Sequence, residues 1–399
     1  MIVGAGPTGS TAAKILAERG FKVLVLEKHS LSREKPCAGA ITNRAVEYFR
    51  IPEEAFTRKC NGIFLCSPKN WKVIIGTNGK IRLTMRSIFD KVLYQMAKDK
   101  GAEFFEKSIV NEPLIKNGKV IGVKIKINNQ IKTIKAKFVI GADGTPSTLA
   151  KKLELYSGRS NTIGFCYQYQ MELCNEQIEE RIKGNAEIYF GSQWIPSGYT
   201  WIFPKNNLVT VGCVAGIDVI KQRKINIKEN LDHFIKKHPV ASSKLEGAKI
   251  LLSQAHLVGY PGVLRDNVVD GCLIAGDASG TVSPWTSEGI WYSMKSGEAA
   301  GICAAEILRK GDVSSSDIRM KYYQNLDQNV KDDLRLAAKI VNLVNSDINQ
   351  QRTVVAIIKD RWWANLIEII MEGRCHYEKA LKQIRSRPDK LLKARMCYR

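Results

Sequence analysis

The spacing of apolar residues along this chain alternates between the two periods of regular structure. A short apolar run, Met1-Ile2-Val3, leads into the turn Gly4-Ala5-Gly6-Pro7-Thr8-Gly9. From Ser10 to Arg19 apolar positions recur at three- and four-residue intervals, which predicts a helix stopped by Gly20. Phe21 to Leu26 then predicts a strand that ends at Glu27. Further on, Arg86-Ser87-Ile88-Phe89-Asp90 opens a helix through Lys100, stopped by Gly101. Short alternating strands follow, with Asn117-Gly118 and Asn128-Asn129 at their turns, a hairpin pattern. The run Phe138 to Gly141 enters Ala142-Asp143-Gly144 and a helix that begins near Ser147.

Residues 160–255 read differently. Strands are predicted over Thr162 to Leu173, Ala186 to Phe190, Tyr199 to Phe203 and Leu208 to Ala215, with one helix over Ile227 to Lys237. That is a sheet with helical cover. Cys272 to Ala275 predicts a buried strand ending in Gly276-Asp277-Ala278, and a long helix follows over Glu288 to Arg309. From Ile318 onward the pattern is mostly helical. Within it, Val355, Ile358, Trp362, Leu366 and Ile369 fall on one face of a single helix over Thr353 to Met371, widened by Trp363 and Ile370. Three readings stand: a lid over an apolar cavity, an interfacial helix with Arg374, Lys379, Lys382, Arg385 and Arg387 as basic neighbours, or an amphipathic helix packed on the core.

Composition narrows the class. The 399 residues suggest two or three domains at roughly 100–200 residues each. With 44% apolar and 25% charged residues, disorder, collagen and coiled coil are poor readings. The longest uncharged stretch, Ile188 to Pro204, is broken by glycine and proline and falls short of a membrane span. No signal-peptide pattern precedes the first motif, so a cytoplasmic protein is expected. Lys and Arg exceed Asp and Glu by 61 to 39, a formal charge of +22. Such a field suits nucleic acid, anionic lipid, an acidic electron-transfer protein, or solubility alone. The ten cysteines (37, 60, 66, 166, 174, 213, 272, 303, 375 and 397) contain no C-x-x-C pair, so neither zinc nor an iron–sulfur cluster is expected, and most read as small buried hydrophobes.

The opening strand, glycine turn, helix, strand and acid form a dinucleotide-binding series. Gly4 permits the tight turn, Gly6 lets the backbone approach a pyrophosphate, and Gly9 lets the helix pack close to the strand. The helix N-terminus presents unpaired N–H groups to the phosphates, and Glu27 can accept hydrogen bonds from a ribose diol. Only two residues precede Gly4, fewer than a central strand usually has; the strand is clipped or the start is misassigned.

Three segments in this order resemble the FAD signature of the para-hydroxybenzoate hydroxylase-type flavoproteins: the glycine turn with Glu27; Gly141-Ala142-Asp143-Gly144; and Gly276-Asp277 followed by Pro284 and Glu288-Gly289-Ile290. Two more resemble the geranylgeranyl reductases within that superfamily. Lys35-Pro36-Cys37-Ala38-Gly39 is similar to their cysteine–glycine motif beside the flavin, and Pro196-Ser197-Gly198-Tyr199-Thr200-Trp201-Ile202-Phe203-Pro204 is similar to their PxxYxWxFP motif. The resemblance covers about residues 1–310.

It implies an α/β fold: a Rossmann-like FAD-binding domain with an inserted antiparallel-sheet substrate domain and a helical C-terminal region. The implied partition is 1–60, 81–158 and 259–312 for FAD, 61–80 and 159–258 for substrate, and 313–399 for the helical region. It also implies FAD contacts at Gly4, Gly6, Gly9, Glu27, Cys37, Ala38, Ala40, Asp143, Gly144 and Gly276. Arg86 would lie over the phosphate–ribose region and the Val110 backbone would meet the adenine. Asp277 would bind the ribityl or phosphate groups, and the Gly289 and Ile290 N–H groups the flavin's pyrimidine edge. Two departures stand out: Ser287 where relatives often have glycine, and Ala38 within a commoner Cys-Gly-Gly.

The implied activity is reduction of isolated C=C bonds in geranylgeranyl chains of ether-lipid precursors or prenyl diphosphates. Tyr199 and Trp201 alternate on one strand and so share a face. With Phe203 they would line the prenyl chain; without the resemblance they read as sheet-core aromatics. Cys37 is either a proton donor or a residue that shapes the site, and a thiol near pKa ~8.5 is a weak acid for an alkene. None of the five histidines sits in a catalytic motif, although His29 lies near the ribose end. With only one GxGxxG, electrons would come from transiently docked NAD(P)H or from a ferredoxin. The lipid substrate allows peripheral membrane contact, and no nucleic-acid partner is expected. Two alternatives compete: a flavin monooxygenase, and a basic binding module that keeps FAD as a relic. The W-x-W-x-I-P motif of halogenases is absent here, and the intact glycine set weighs against the relic.

Overall fold

The structure, a computed structural model, describes residues 1–127, 129–155, 163–260 and 266–390, the side chains at 342 and 343 excepted. Asn128, Thr162, Cys397 and the basic residues beyond 390 lie outside the described residues. The chain forms two compact units. One comprises Met1–Glu34, Ser87–Ile163 and Leu257–Arg335; the other comprises Lys35–Arg86, Gly164–His256 and Leu336–Arg399. Among the described residues no helix is long and apolar enough to cross a membrane.

The first unit is α/β, as expected. Its six-stranded sheet runs in the order Val268–Val269, Cys272–Ile274, Val139–Gly141, Ile2–Val3, Leu24–Leu26, Glu103–Phe105. All neighbours are parallel except the first pair. The opening strand is only Ile2–Val3, yet it is central, with Ile2 opposite both Ile140 and Val25. The first helix, Pro7–Glu18, begins three residues earlier than its periodicity suggests, because Pro7 at its first position presets the helical φ. The next strand starts only at Leu24: beyond Gly20 (φ +81°) the Phe21 N–H still bonds the Leu16 carbonyl. A meander of Ile109–Lys116, Lys119–Ile127 and Gln130–Lys135 completes the unit. Its Asn117-Gly118 turn has φ of +50° and +75°, the primed geometry that suits a two-residue hairpin.

The second unit holds a seven-stranded sheet in the order Lys249–Gly259, Ile163–Glu172, Leu208–Gly216, Gly198–Pro204, Ala186–Tyr189, Gly62–Cys66, Lys72–Gly76. One face packs Ile202, Val211, Tyr169 and Tyr189 against Leu231 and Phe234 of the helix Ile227–Lys237. The opposite face packs Trp201, Phe203, Ile63 and Leu65 with Val354 and Ile357 from the C-terminal helices. The stretch 35–60, grouped with FAD in the partition above, packs in this unit: Ala40–Ile41 and Arg58–Lys59 both pair with Arg82–Leu83.

The single helix expected over Thr353–Met371 is two helices, Asp347–Lys359 and Arg361–Met371. Asp360 takes extended geometry between them, and its carboxylate accepts from the Trp362 N–H as an N-cap. The break resets the helical phase. Ile358, placed on the buried stripe by periodicity, is 40% exposed, whereas Val354 and Ile357 are buried. Trp363, Ala364, Ile367 and Met371 complete the packed side.

His238 lies among Trp194, Phe234 and Tyr189, its ring centroid 4.9 Å from each. Its Nδ1 accepts from the N–H groups of Val240 (3.0 Å) and Ala241 (3.2 Å). Burial holds its pKa down to about 4 against a backbone hydrogen bond that raises it, and the charges of Lys244 and Lys72 add to the depression. The neutral ring's contribution to stability is therefore complete above the ordinary histidine pKa. It declines as pH falls toward 4, because the unfolded chain takes up the proton first. Between pH 7 and 4.5 this removes about 2–3 kcal/mol. Urea unfolding at the two pH values checks it: His238→Asn starts less stable and lacks this increment of acid sensitivity. An unchanged pH slope in the variant would refute the assignment.

Candidate functional site

The residues singled out from sequence fall into one group in each unit. In the first unit they surround the first helix's N-terminus, where backbone approaches backbone. Gly4 has φ +100°, and a Cβ there would lie 2.3 Å from the Ala142 carbonyl oxygen. A Cβ on Gly9 would lie 1.9 Å from the Gly4 carbonyl oxygen. Both contacts exclude any side chain. Gly6 is the N-cap and has no side chain to satisfy the first-turn donors, which suits an anionic ligand.

The long helix Ile290–Lys310 packs along this helix. A Cβ on Gly297 would lie 2.3 Å from the Thr8 carbonyl oxygen, and one on Gly301 3.1 Å from that of Ala12. Residue numbers rise together across this contact, so the two helices run parallel and direct their positive ends to the same side. The small residues at 297 and 301, four apart on one helix face, are a signal that the sequence reading passed over. Gly276 (φ +68°) meets the same helix, a Cβ there clashing with Thr8 Oγ1 at 1.9 Å. Asp277 accepts from Ser293 Oγ at 2.7 Å, which ties it to the long helix's first turn. Its backbone carbonyl accepts from Thr145 Oγ1, also at 2.7 Å. Gly289 is that helix's N-cap, 3.5 Å from Asp277 Oδ1 at its notional Cβ, and no side chain caps the Ile290 turn. Ser287 sits at φ +54°, where glycine is favoured, within 3.2 Å of the Tyr260 hydroxyl.

Glu27 is 4% exposed, and its two oxygens accept from the N–H groups of Ala5 (2.8 Å) and His29 (3.0 Å). The acid thus braces the glycine turn, and each oxygen retains a second lone pair that a ribose hydroxyl can use. Arg33, absent from the sequence reading, bonds Asp90 at 2.9 Å and lies 3.8 Å from Glu27. No motif marks it, since Asp90 is 57 residues away in sequence. The Asp143 carboxylate turns into its own chain. It accepts from Ser147 Oγ and Thr148 N, both at 2.7 Å, and from Leu149 N at 3.2 Å, and so caps the helix Thr148–Lys152. Burial pushes its pKa up against these bonds. This leaves the backbone of Asp143 and Gly144 (φ +74°) as the polar surface there. Val110 lies on Ile109–Lys116, the meander's edge strand, with its side chain buried.

In the second unit, Tyr199, Trp201 and Phe203 share the sheet face that packs against the C-terminal helices. The Tyr199 and Trp201 ring centroids are 6.0 Å apart. Trp201 lies across Gly212 of the next strand, where a Cβ would be 2.3 Å from its Cζ2 and 2.8 Å from the Cβ of Gln168. Gln168 is 1% exposed; neither its amide oxygen nor its nitrogen has a partner among the described residues, and the same holds for Trp201 Nε1. Each such group costs about 1–3 kcal/mol when it stays unpaired. Gln168 carries no sequence signal beyond its alternation with Cys166 and Gln170.

Cys37 and Ala38 are half-buried in an irregular segment, followed by Ala40 on Ala40–Ile41. Gly39 (φ +78°) allows close approach, its notional Cβ 2.1 Å from the Thr84 carbonyl oxygen. Lys205, 1% exposed and also missed from sequence, donates to the Ala38 carbonyl at 2.7 Å. It follows directly on the aromatic motif, so the motif and the cysteine segment are joined by one buried ammonium. Burial pushes the neighbouring Cys166 thiol up to about 12, and the adjacent Cys37 adds to the rise. Arg86 opens the helix Arg86–Lys98 and is buried.

Residues 1–318 match the FAD binding domain family. A digeranylgeranylglycerophospholipid reductase of Methanocaldococcus jannaschii is 32% identical over 324 residues, 80% of each chain. One from Methanocella arvoryzae is 30% identical over 358 residues, 83% of this chain and 85% of its own. Among solved structures, a geranylgeranyl bacteriochlorophyll reductase-like protein of Thermoplasma acidophilum aligns with a TM-score of 0.78 at 25% identity, covering 96% of this chain and 98% of its own. A flavin-dependent brominase aligns equally well, TM-score 0.78, at 18% identity over 98% of both chains, and so shares the fold.

The cradle is too close-fitting to admit one methyl group. Gly9→Ala is expected to lose about 2–4 kcal/mol of stability or of FAD binding. Gly216→Ala, where a Cβ meets only Val219 at 3.9 Å, retains its flavin. The flavin-to-protein absorbance ratio after gel filtration checks this, and equal retention by the two variants would overturn it.

Proposed function

Because the chain belongs to the FAD-binding-domain family of flavin-dependent oxidoreductases, beside the archaeal digeranylgeranylglycerophospholipid reductases, we propose that it reduces isolated C=C bonds in geranylgeranyl chains of isoprenoid lipids. The substrates are ether-lipid precursors or prenyl diphosphates. One observation carries the reading: an aromatic, otherwise apolar sheet face at Tyr199, Trp201 and Phe203, in a chain whose other unit has a glycine cradle suited to a dinucleotide. Reduced FAD, when bound, supplies a hydride from N5.

The chain's own residues do the rest. Gly6 and Gly9 give the pyrophosphate backbone N–H groups, while Gly4 and Gly276, whose own N–H groups bond the Leu26 carbonyl and Ser296 Oγ, keep its approach free of side chains. Glu27 takes the adenosine ribose, Arg86 the phosphate–ribose region, and the Val110 backbone the adenine. Asp277 and the backbone at Asp143 and Gly144 hold the ribityl and phosphate groups. The helix end at Gly289 and Ile290 offsets negative charge on the pyrimidine edge. Tyr199, Trp201 and Phe203 align the prenyl chain, and their ring faces stabilise positive character at a substrate carbon by about 0.5–2 kcal/mol each. Cys37, Ala38 and Ala40 shape the site beside the flavin, the turn being held by Lys205. The electron donor is docked NAD(P)H or a ferredoxin, to which a net charge of +22 is complementary. The protein meets its lipid at the membrane surface.

The test is anaerobic turnover of the reduced holoenzyme with a geranylgeranylated phospholipid, followed by mass spectrometry. Each bond reduced adds two hydrogens, with matching flavin reoxidation. Trp201→Ala is expected to slow turnover at least ~10-fold at unchanged flavin content. Flavin oxidation only with O₂, and no hydrogen gained by the lipid, would replace this reading with a monooxygenase.

A further inference from the structure

The aromatic face carries a feature that a purely hydrocarbon ligand does not require. Gln168, on the strand Ile163–Glu172, pairs with Gly212, which pairs with Trp201. Three neighbouring positions therefore lie in one row across three strands. Side chains alternate along a strand, so Gln168 shares the face of Cys166, which packs in the same cluster as Trp201 and Phe203. Gly212 contributes no side chain to the row, and the indole and the Gln168 stem close over it. The notional Cβ of Gly212 lies 2.7 Å from Trp201 Cε2, the atom bonded to Nε1, and 2.8 Å from the Gln168 Cβ. Both side chains are buried, and the Gln168 amide oxygen, the Gln168 amide nitrogen and Trp201 Nε1 have no partner among the described residues. An amide kept dry in an apolar wall is disfavoured unless a bound group completes it.

We infer that Gln168 and Trp201 form a hydrogen-bonding subsite in this wall that takes a single oxygen function of an otherwise apolar chain. The donor set defines the class. Trp201 Nε1 only donates, whereas the Gln168 amide both donates and accepts. A hydroxyl accepts from the indole and donates to the amide oxygen; an ether oxygen accepts from both N–H groups. Tyr199, Phe203, Ile188 and Val214 around the row supply hydrocarbon contact and no charge. The occupant is thus an amphipathic lipid bound through its oxygen end as well as its chain. This rests on the lipid reading above and adds to it the residues that recognise the polar end.

Equilibrium dialysis of the full-length holoenzyme, at fixed submicellar detergent, against geranylgeraniol and the same chain with hydrogen in place of the hydroxyl provides the test. The wild type is expected to prefer the alcohol about tenfold, which is about 1.4 kcal/mol. Gln168→Met is expected to abolish that preference while leaving hydrocarbon affinity unchanged, and to raise the ligand-free unfolding temperature, because an unpaired amide has been removed. Trp201→Phe reduces the preference and supplies the same comparison should Gln168→Met not fold. Equal binding of the two probes by the wild type means that only water occupies the row and overturns the subsite while leaving the reductase reading intact. A preference that survives in both variants overturns it as well. Binding of neither probe overturns the subsite and the lipid reading together.

Discussion

The first unit depends on backbone approaching backbone more closely than a side chain permits. At Gly4 and Gly9 the chain folds onto itself, and at Gly276 and Gly297 the long C-terminal helix and its preceding turn close on the same first helix. Every one of these contacts would be filled by a methyl group. This packing sets two parallel helix ends of like sign side by side, with no side-chain cap on either, before any side chain contributes. Glu27 then locks the turn by accepting from Ala5 and His29. Such an arrangement suits a long, anionic cofactor because its recognition is carried by backbone dipoles that need no reorganisation.

The second unit uses the opposite strategy. Its sheet buries both faces, one against the helix Ile227–Lys237 and the other against the C-terminal helices. The first of these faces holds an ion pair and packed aromatic rings: Glu187 with Lys244, the Tyr189 hydroxyl on Glu187 at 2.5 Å, and His238 among three rings. The other face is aromatic and holds buried donors and an acceptor that the described protein atoms do not satisfy. Among the described residues both faces hold unpaired buried atoms, Trp194 Nε1 and His238 Nε2 on the first and Trp201 Nε1 and the Gln168 amide on the second; only the second leaves a donor and an acceptor of one amide unpaired together, which suits a ligand.

Legibility followed sequence distance. The glycine turn, the acid at its strand end, the Asn117-Gly118 hairpin and the alternation of Tyr199, Trp201 and Phe203 all act through neighbours a few residues away, and all could be read from spacing. So could the helix Ile227–Lys237, whose amphipathic pattern is strong and whose Asn226 cap is local. The helix break at Asp360 was also local, yet the run of apolar residues through it concealed the cap. The stripe drawn across both helices therefore mixed two phases. Lys205 on Ala38, Arg33 on Asp90, and Gln168 beside Trp201 left no trace in spacing, because each joins residues far apart in sequence that meet only in the folded chain.

What the sequence determined by itself is therefore what short-range physics controls: which segments are strands or helices, where backbone freedom is needed, and which residues share a face. Motif order added the cofactor class. Tertiary structure alone decided which polar groups are consumed and which stay available. The Asp143 carboxylate reads as a ligand in sequence and is spent on capping its own helix. Gln168 reads as an ordinary strand residue, yet sheet register buries it with both amide atoms unpaired. Hydrogen-bond satisfaction is a property of the packed neighbourhood, and that neighbourhood exists only once register and burial are set.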